Sequence, residues 1–273
     1  MNPFASLRIL MSHRQALKLA VLMGLAAVAM LLSAAGQAPL TISHAPHVQA
    51  ANSQDNTASY STNWSGYATY QTATTFTDVK GSWVEPSVTC SSKSAQYAAF
   101  WVGLDGYNSN SVEQIGTDSD CNGRNRPVYY AWYEMYPEYP VNLSMAVHPG
   151  DTMSAEVVTS GSTFTLTITN VTTGATFSTQ QAATAALTSA EWVAEAPSSC
   201  SRFRCSVLPL ANFGTVNFSG SYTTGNGHTG TISDSAWSND QITMVTSTGT
   251  TIKAQPSALS PDGTAFSVKW NHQ

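Results

Sequence analysis

Charge is what this chain has least of. Asp, Glu, Lys and Arg make up 10% of its 273 residues, against about a quarter in ordinary soluble domains. Its 11 Lys and Arg form no basic run and the formal net charge is −5, so nucleic acid is not an expected partner. The shortage also bears on pH. Acid unfolds proteins by protonating paired carboxylates and leaving positive charges to repel one another, and this composition has little of either liability. It suits an acidic medium, as it would suit other extracellular β-proteins.

Other absences are as specific. There is no Asp-Thr/Ser-Gly, no Gly-x-Ser-x-Gly and no His-Glu-x-x-His, which removes the signatures of aspartic peptidases, serine hydrolases and zinc peptidases. The six histidines are dispersed, three of them ahead of residue 62. No apolar run reaches the ~20 residues that a spanning helix needs. The longest, Leu19 to Leu32, follows Arg8, Arg14 and Lys18 and precedes Ser33, Ala34, Ala35 and Ala38. That order of basic, apolar and small residues is a secretory signal over 1–38, with an uncleaved anchor as the rival reading and Met11 as an alternative start. Export, with no membrane association after cleavage, is the expectation.

Residues 39–61 are polar and aperiodic, too poor in apolar surface to fold alone. They read as a short pro-segment or disordered leader. Residues 62–273 have the size of a single all-β domain, with no internal repeat and nothing to indicate more than a monomer.

Cys90, Cys121, Cys200 and Cys205 all follow the signal. An even count in an exported chain favours two disulfides, for which three pairings are open. The short loop between Cys200 and Cys205 points to a local pair there, with Cys90 joined to Cys121. A thiol nucleophile is not expected. Zinc is the rival, but the spacing is wrong and no histidine cluster accompanies it, so no metal and no cofactor is expected.

What the chain does have is strand pattern. Thr163 to Thr169 alternates, with Phe164, Leu166 and Ile168 on one face and threonines on the other, and Asn170 to Gly174 turns the chain. Similar runs recur at Val216 to Phe218, Gln241 to Val245 and Ala265 to Trp270. Many short strands between Gly, Ser, Asn and Pro clusters predict a sandwich or barrel. The single helical candidate is the Ala-rich Gln180 to Ala190.

Four further segments place polar and aromatic groups on one strand face. Alternation sets Trp101 and Asp105 opposite Phe100, Val102 and Leu104, and Gln114 with Asp118. It likewise sets Trp132, Glu134 and Tyr136 opposite Tyr133 and Met135, and Glu191 with Glu195. Aromatic platforms and a few placed polar groups are what a groove for an extended polymer requires. Taken singly, these tryptophans and Tyr136 read as core, and Asp105 and Asp118 as residues that orient neighbours or bind turn backbone.

Together the segments Asn63-Trp64-Ser65-Gly66-Tyr67, Trp101-Val102-Gly103-Leu104-Asp105-Gly106, Glu113-Gln114-Ile115-Gly116-Thr117-Asp118, Ala131-Trp132-Tyr133-Glu134-Met135-Tyr136-Pro137 and Ala190-Glu191-Trp192-Val193-Ala194-Glu195 resemble, in order, the eqolisin or glutamic peptidase family. The resemblance implies a jelly-roll or concanavalin-like sandwich of antiparallel sheets with its cleft on a concave sheet, and protein or peptide substrates. It carries the catalytic pair onto Gln114 and Glu195, and the supporting positions onto Trp101, Asp105, Asp118, Trp132, Glu134 and Tyr136. Where the family often has a further acid after the glutamate, this chain has Ala196-Pro197-Ser198. Its leader is also short beside the fungal pattern.

The chemistry of the pair agrees. A glutamate is ionised in mild acid where a histidine base is protonated, and an amide donates to an oxyanion without titrating. A donor beside Glu195 is expected to lower its pKa. The alternatives from other classes are a glycosidase using Glu134 and Glu195 and a carbohydrate-binding module without activity.

Overall fold

The computed structural model describes residues 42–50, 59–91, 93–201 and 204–273. The expected signal peptide, and the rest of the leader, lie outside the described residues.

Nineteen strands make up the described fold. They are β1 (Ile42–Ser43), β2 (Ser59–Ser61), β3 (Trp64–Tyr70), β4 (Phe76–Val84), β5 (Ala99–Leu104), β6 (Val112–Asn122), β7 (Arg126–Tyr136), β8 (Val141–Asn142), β9 (Thr152–Ser160) and β10 (Thr163–Asn170). Then follow β11 (Ala175–Ala182), β12 (Ser189–Glu195), β13 (Ser198–Ser201), β14 (Arg204–Val207), β15 (Thr215–Gly225), β16 (His228–Thr231), β17 (Ser238–Val245), β18 (Ile252–Pro256) and β19 (Phe266–Trp270). There is no helix among the described residues.

The main sheet runs β11-β10-β9-β4-β15-β19-β18-β17-β3-β12-β5-β6-β7-β8. It is antiparallel along this path, with β2 added to β17 in parallel. The ribbon doubles over on itself: β5 and β12 pack on β4, and β6 packs on β9 and β10. The result is a two-layer sandwich. A small second sheet, β1-β13-β14, carries the Cys200–Cys205 disulfide across a hairpin. Cys90 is bonded to Cys121.

Alternation decides what each layer buries. In β10, Phe164, Leu166 and Ile168 face the core while Thr165, Thr167 and Thr169 face out. The chain then turns at Asn170 to Gly174, where Gly174 takes a φ of 77° that its missing side chain permits. On the front layer, Phe100, Val102, Leu104, Ile115 and Trp192 enter the same core. Trp64, Trp101, Trp132, Val112 and Val193 belong to a separate apolar cluster, on the opposite face of that layer.

The expectation of a helix over Gln180 to Ala190 is overturned. Its first residues complete β11, whose register with β10 runs from Ala175 opposite Asn170 to Ala182 opposite Thr163. Its last two, Ser189 and Ala190, begin β12. Alanine is the best helix former, but intrinsic propensity is readily overridden, and here the open edge of β10 offers a full ladder of backbone partners that outweighs it.

Candidate active site

Residues paired across a ladder share a sheet face, so the registers lay out the site row by row. One row is Trp64, Glu195, Ala99, Asp118 and Tyr130, taken from β3, β12, β5, β6 and β7. The next is Gly66, Val193, Trp101, Gly116 and Trp132, and the third is Ala68, Glu191, Gly103, Gln114 and Glu134. Large side chains alternate with small ones in this grid. A Cβ on Gly116 would lie 2.5 Å from Trp101 Cβ, and one on Gly103 would lie 3.0 Å from Trp101 Cζ3. The two glycines let the Trp101 indole lie along the sheet, from which its Nε1 donates to Glu195 Oε2 at 2.9 Å.

Six of the expected site residues therefore share this face: Trp101, Gln114, Asp118, Trp132, Glu134 and Glu195, all fully buried. Tyr136 stands at its margin, half-buried, with its hydroxyl 3.9 Å from Cys205 Sγ. Asp105 lies past the end of β5 at a φ of 68°. Its carboxylate accepts from Leu187 N, Thr188 N and Thr188 Oγ1, which fits the turn-binding reading and fastens the loop leading into β12.

Residues 42–45, within the segment expected to be a leader, occupy this face. Ile42 and Ser43 pair antiparallel with Ser199 and Ser198, and the chain then crosses the grid. The His44 carbonyl accepts from Gln114 Nε2 at 2.6 Å. The His44 ring stacks on Trp132, with centroids 3.5 Å apart and planes 2° from parallel. Its Nδ1 is 2.9 Å from Glu134 Oε2 and its Nε2 is 3.2 Å from Asp118 Oδ1. Glu134 also accepts from His44 N at 2.8 Å and from Ser43 Oγ at 2.6 Å. Beyond it, the Ala45 carbonyl accepts from Trp64 Nε1 at 3.0 Å and Asn63 Nδ2 at 3.1 Å. The segment has too little apolar surface to order itself, and takes its order from this face. His44 and Ser43 were not foreseen as site residues, because nothing local distinguishes them from other leader residues; only the fold brings them to the acids. Asn63 and Trp64 were visible as a motif, without a role.

Burial opposes charging of His44, but Asp118 and Glu134, by charge and hydrogen bond, outweigh it and push the imidazole up to about 10. It is an imidazolium, with both N–H groups donating to acids. Burial also holds Glu195 well above the usual carboxylate range; Glu134 and Asp118 add to this, while the His44 cation and the Trp101 donor work against it. The expected lowering of Glu195 is thus absent: burial outweighs the Trp101 donor, and the Gln114 amide donates to His44 rather than to the glutamate. Burial, and then Asp118, raise Asp120 as well. Tyr130 Oη lies 2.8 Å from Asp118 Oδ2 and 2.9 Å from Asp120 Oδ2. One hydroxyl proton serves only one acceptor, so a protonated Asp120 completes the bridge.

The face thus holds an amide, Gln114, at a main-chain carbonyl and a buried carboxyl, Glu195, on the same sheet layer. Residues 62–264 match the Peptidase A4 family, and the chain belongs to it. Aspergillopepsin-2 of Aspergillus niger is 32% identical over 195 residues, covering 62% of this chain and 67% of that protein. Scytalidopepsin B of Scytalidium lignicola is 30% identical over 182 residues, covering 61% of this chain and 68% of that one. The crystal structure of scytalido-glutamic peptidase with a peptide-based transition-state analogue superposes with a TM-score of 0.65 at 24% identity, covering 77% of this chain and 98% of that one. The protein is accordingly a glutamic peptidase, a hydrolase of peptide bonds.

Proposed function

We propose that this glutamic peptidase is an exported endopeptidase that cuts polypeptides in acid, with Glu195 and Gln114 as its catalytic pair. The observation that carries the assignment is the 2.6 Å hydrogen bond from Gln114 Nε2 to a main-chain carbonyl held across the face. An amide so placed stabilises the oxyanion that forms when that carbonyl is attacked.

Glu195 Oε1 and Gln114 Oε1 are buried acceptors without a hydrogen-bond partner, and buried polar atoms are normally paired. A water that donates to Glu195 Oε1 satisfies that acceptor and is the one we assign to the attack. Ionised Glu195 takes a proton from this water as its oxygen bonds to the carbonyl carbon. As the tetrahedral intermediate collapses, the C–N bond breaks and Glu195 passes the proton to the departing amine. Trp101 fixes the other carboxylate oxygen and favours its ionised form. Once the leader has left, water reaches the carboxyl and the burial that disfavours ionisation shrinks. The peptide-based analogue bound by scytalido-glutamic peptidase supports a polypeptide as substrate. Two disulfides and the signal-like 1–38 segment support export. A carbohydrate reading is not favoured, because the family assignment is to peptidases.

The test is cleavage of a denatured protein across about pH 2 to 7 by the leader-free chain, with an aspartic-peptidase inhibitor present. Cleavage confined to acid, resistant to the inhibitor and lost in folded Gln114→Ala and Glu195→Gln is the expected result. A Gln114→Ala enzyme as active as its parent would sink the mechanism.

A further inference from the structure

A groove of about 790 Å³ opens between β14, the turn from β17 to β18 and the C-terminal residues, and none of the residues around Gln114 and Glu195 lines it. We infer that this groove is a carboxylate-binding site, anchored by the Lys253 ammonium, that takes an acidic side chain or chain end of a polypeptide substrate around the fourth residue downstream of the bond cut. The inference rests on the peptidase reading above and adds to it a contact remote from the reacting atoms.

The first observation is where the backbone puts the amine. Lysine is rarely buried unless it is paired. Lys253 is 8% exposed and is the one buried Lys or Arg among the described residues. No carboxylate, side-chain or terminal, lies within 4.0 Å of its ammonium among those residues. Between the pairs Val245–Ile252 and Met244–Ala254, β18 carries one residue more than β17, and Lys253 is that residue. Such a bulge takes a side chain out of the alternation of its strand, and Lys253 and Ala254, adjacent in sequence, are both buried. Asn271 N and His272 N donate to Lys253 O at 2.8 and 3.0 Å and fasten the bulge.

The second is the chemistry of the walls. Val48, Val207, Leu208 and Val245 give them an apolar character, and no lining residue has an acidic side chain. His272 is the one other ionisable side chain in the lining, and it can add only positive charge. Burial pushes the Lys253 amine down to about 8, which leaves it an ammonium in acid. Apolar surroundings strengthen the pull of that charge on an anion. A carboxylate entering the groove supplies the missing partner and accepts a charge-assisted hydrogen bond.

The third is the route that joins this groove to the catalytic pair. Asn63 Nδ2 donates to the carbonyls of Ala45 and Pro46 at 3.1 and 3.0 Å, and Asn63 Oδ1 accepts from Val48 N at 2.9 Å. Thr62 N donates to Val48 O at 2.9 Å. All four contacts are to main-chain atoms, so a polypeptide of another sequence can make them. Val48 lines the groove and is the fourth residue after the carbonyl that Gln114 holds. On the opposite wall, Leu208 N donates at 2.8 Å to the carbonyl of Pro197, two residues beyond Glu195. A substrate that follows the course of residues 44–48 therefore brings its fourth downstream residue to the groove.

The test uses the full-length chain, activated in acid, and three peptides built on one bond that it cuts in a denatured protein. The first has Glu as the fourth residue downstream and an amidated end. The second has Gln there and an amidated end, and the third ends on that Gln with a free carboxylate. At about pH 5 a glutamate is mostly ionised, and a carboxylate peptide is expected to show a kcat/KM about tenfold above the neutral one, carried by KM with kcat unchanged. Which of the two shows it tells a side chain from a chain end. Lys253→Met keeps the apolar stem and removes the charge. It is expected to abolish the advantage, to cleave the neutral peptide as the parent does, and to melt no lower than the parent. Should it fail to fold, Lys253→Gln takes its place, and failing both the series on the parent decides alone. Equal rates on all three peptides, or an advantage that survives loss of the ammonium, overturns this inference and leaves the catalytic pair standing. Enzyme that cleaves nothing overturns both.

Discussion

Trp101 Nε1 donates to Glu195 Oε2, binding an indole of β5 to a carboxyl of β12 on the neighbouring strand. It is the one protein hydrogen bond to the Glu195 carboxyl among the described residues. Trp101→Phe keeps the ring's bulk and removes the donor. The Glu195 pKa then rises, because the donor had favoured the ionised form. For the base proposed at Glu195, which acts in its ionised form, the acid limb of the pH–rate profile then moves to higher pH. A fall in kcat of about 10- to 100-fold accompanies it. Steady-state rates between about pH 2 and 7 check both effects.

Gly116 is a position in the grid with no room for a side chain. A Cβ there would lie 2.3 Å from Phe100 O and 2.9 Å from Trp101 Cα, and both are backbone atoms that yield only if the strands part. Gly116→Ala is expected to destabilise the fold by about 1–3 kcal/mol and to shift Trp101. Thermal unfolding reads the first effect and loss of activity in the surviving folded fraction the second.

Stability is expected to rise on acidification from neutrality, against the habit of most proteins. Burial pushes Glu85 up to about 7, although Ser119, Thr117 and Trp83 donate to it. Burial, and then Asp105, push Glu113 up to about 8. A carboxyl raised on folding binds more protons in the native state, so stability falls as pH climbs from the unfolded value near 4.5 to the folded one. His44 acts in the same direction, its contribution complete below 6.5 and lost toward 10. His47, lowered by burial to about 4, opposes this below 6.5. Lys253, lowered by burial to about 8, favours the fold only as pH rises above that value. Melting temperatures measured at intervals from pH 8 to 4.5 should climb. Glu85→Gln should flatten the climb by an amount of order 2–3 kcal/mol.

The two disulfides are expected to differ. Cys90–Cys121 closes a separation of 31 residues and Cys200–Cys205 one of 5. Loop entropy assigns about 3–4 kcal/mol to the first and about 2 to the second. Denaturant unfolding of the two paired Cys→Ser variants compares them directly.

Much of this site was legible because a strand reads with a period of two. Alternation alone put Gln114 with Asp118 and Glu191 with Glu195, and the registers then joined those strands into one face. What alternation does not carry is which strands are neighbours; the family motifs placed these residues around one cleft, and the order β3-β12-β5-β6-β7 is seen only in the fold. The Gln180 segment failed for the complementary reason, since its state depends on a partner strand rather than on its own composition. His44 lay beyond both kinds of reading. Its role arises from contacts to residues 74 and 90 positions away in the chain, and a local pattern holds no trace of such distances.

The last strand of the back layer, β11, has a free edge. Proteins commonly guard such an edge against pairing with another molecule by placing lysines or glutamates on it. Here the outer face is dressed with hydroxyls that bond across the strands: Thr167 to Ser178 at 2.9 Å, and Thr169 to Thr176 at 3.0 Å. A carboxylate guard is neutralised as acid strengthens, leaving the edge bare when the medium is most aggressive. A hydroxyl has no charge to lose. The guard on this edge is therefore the same at every acidity.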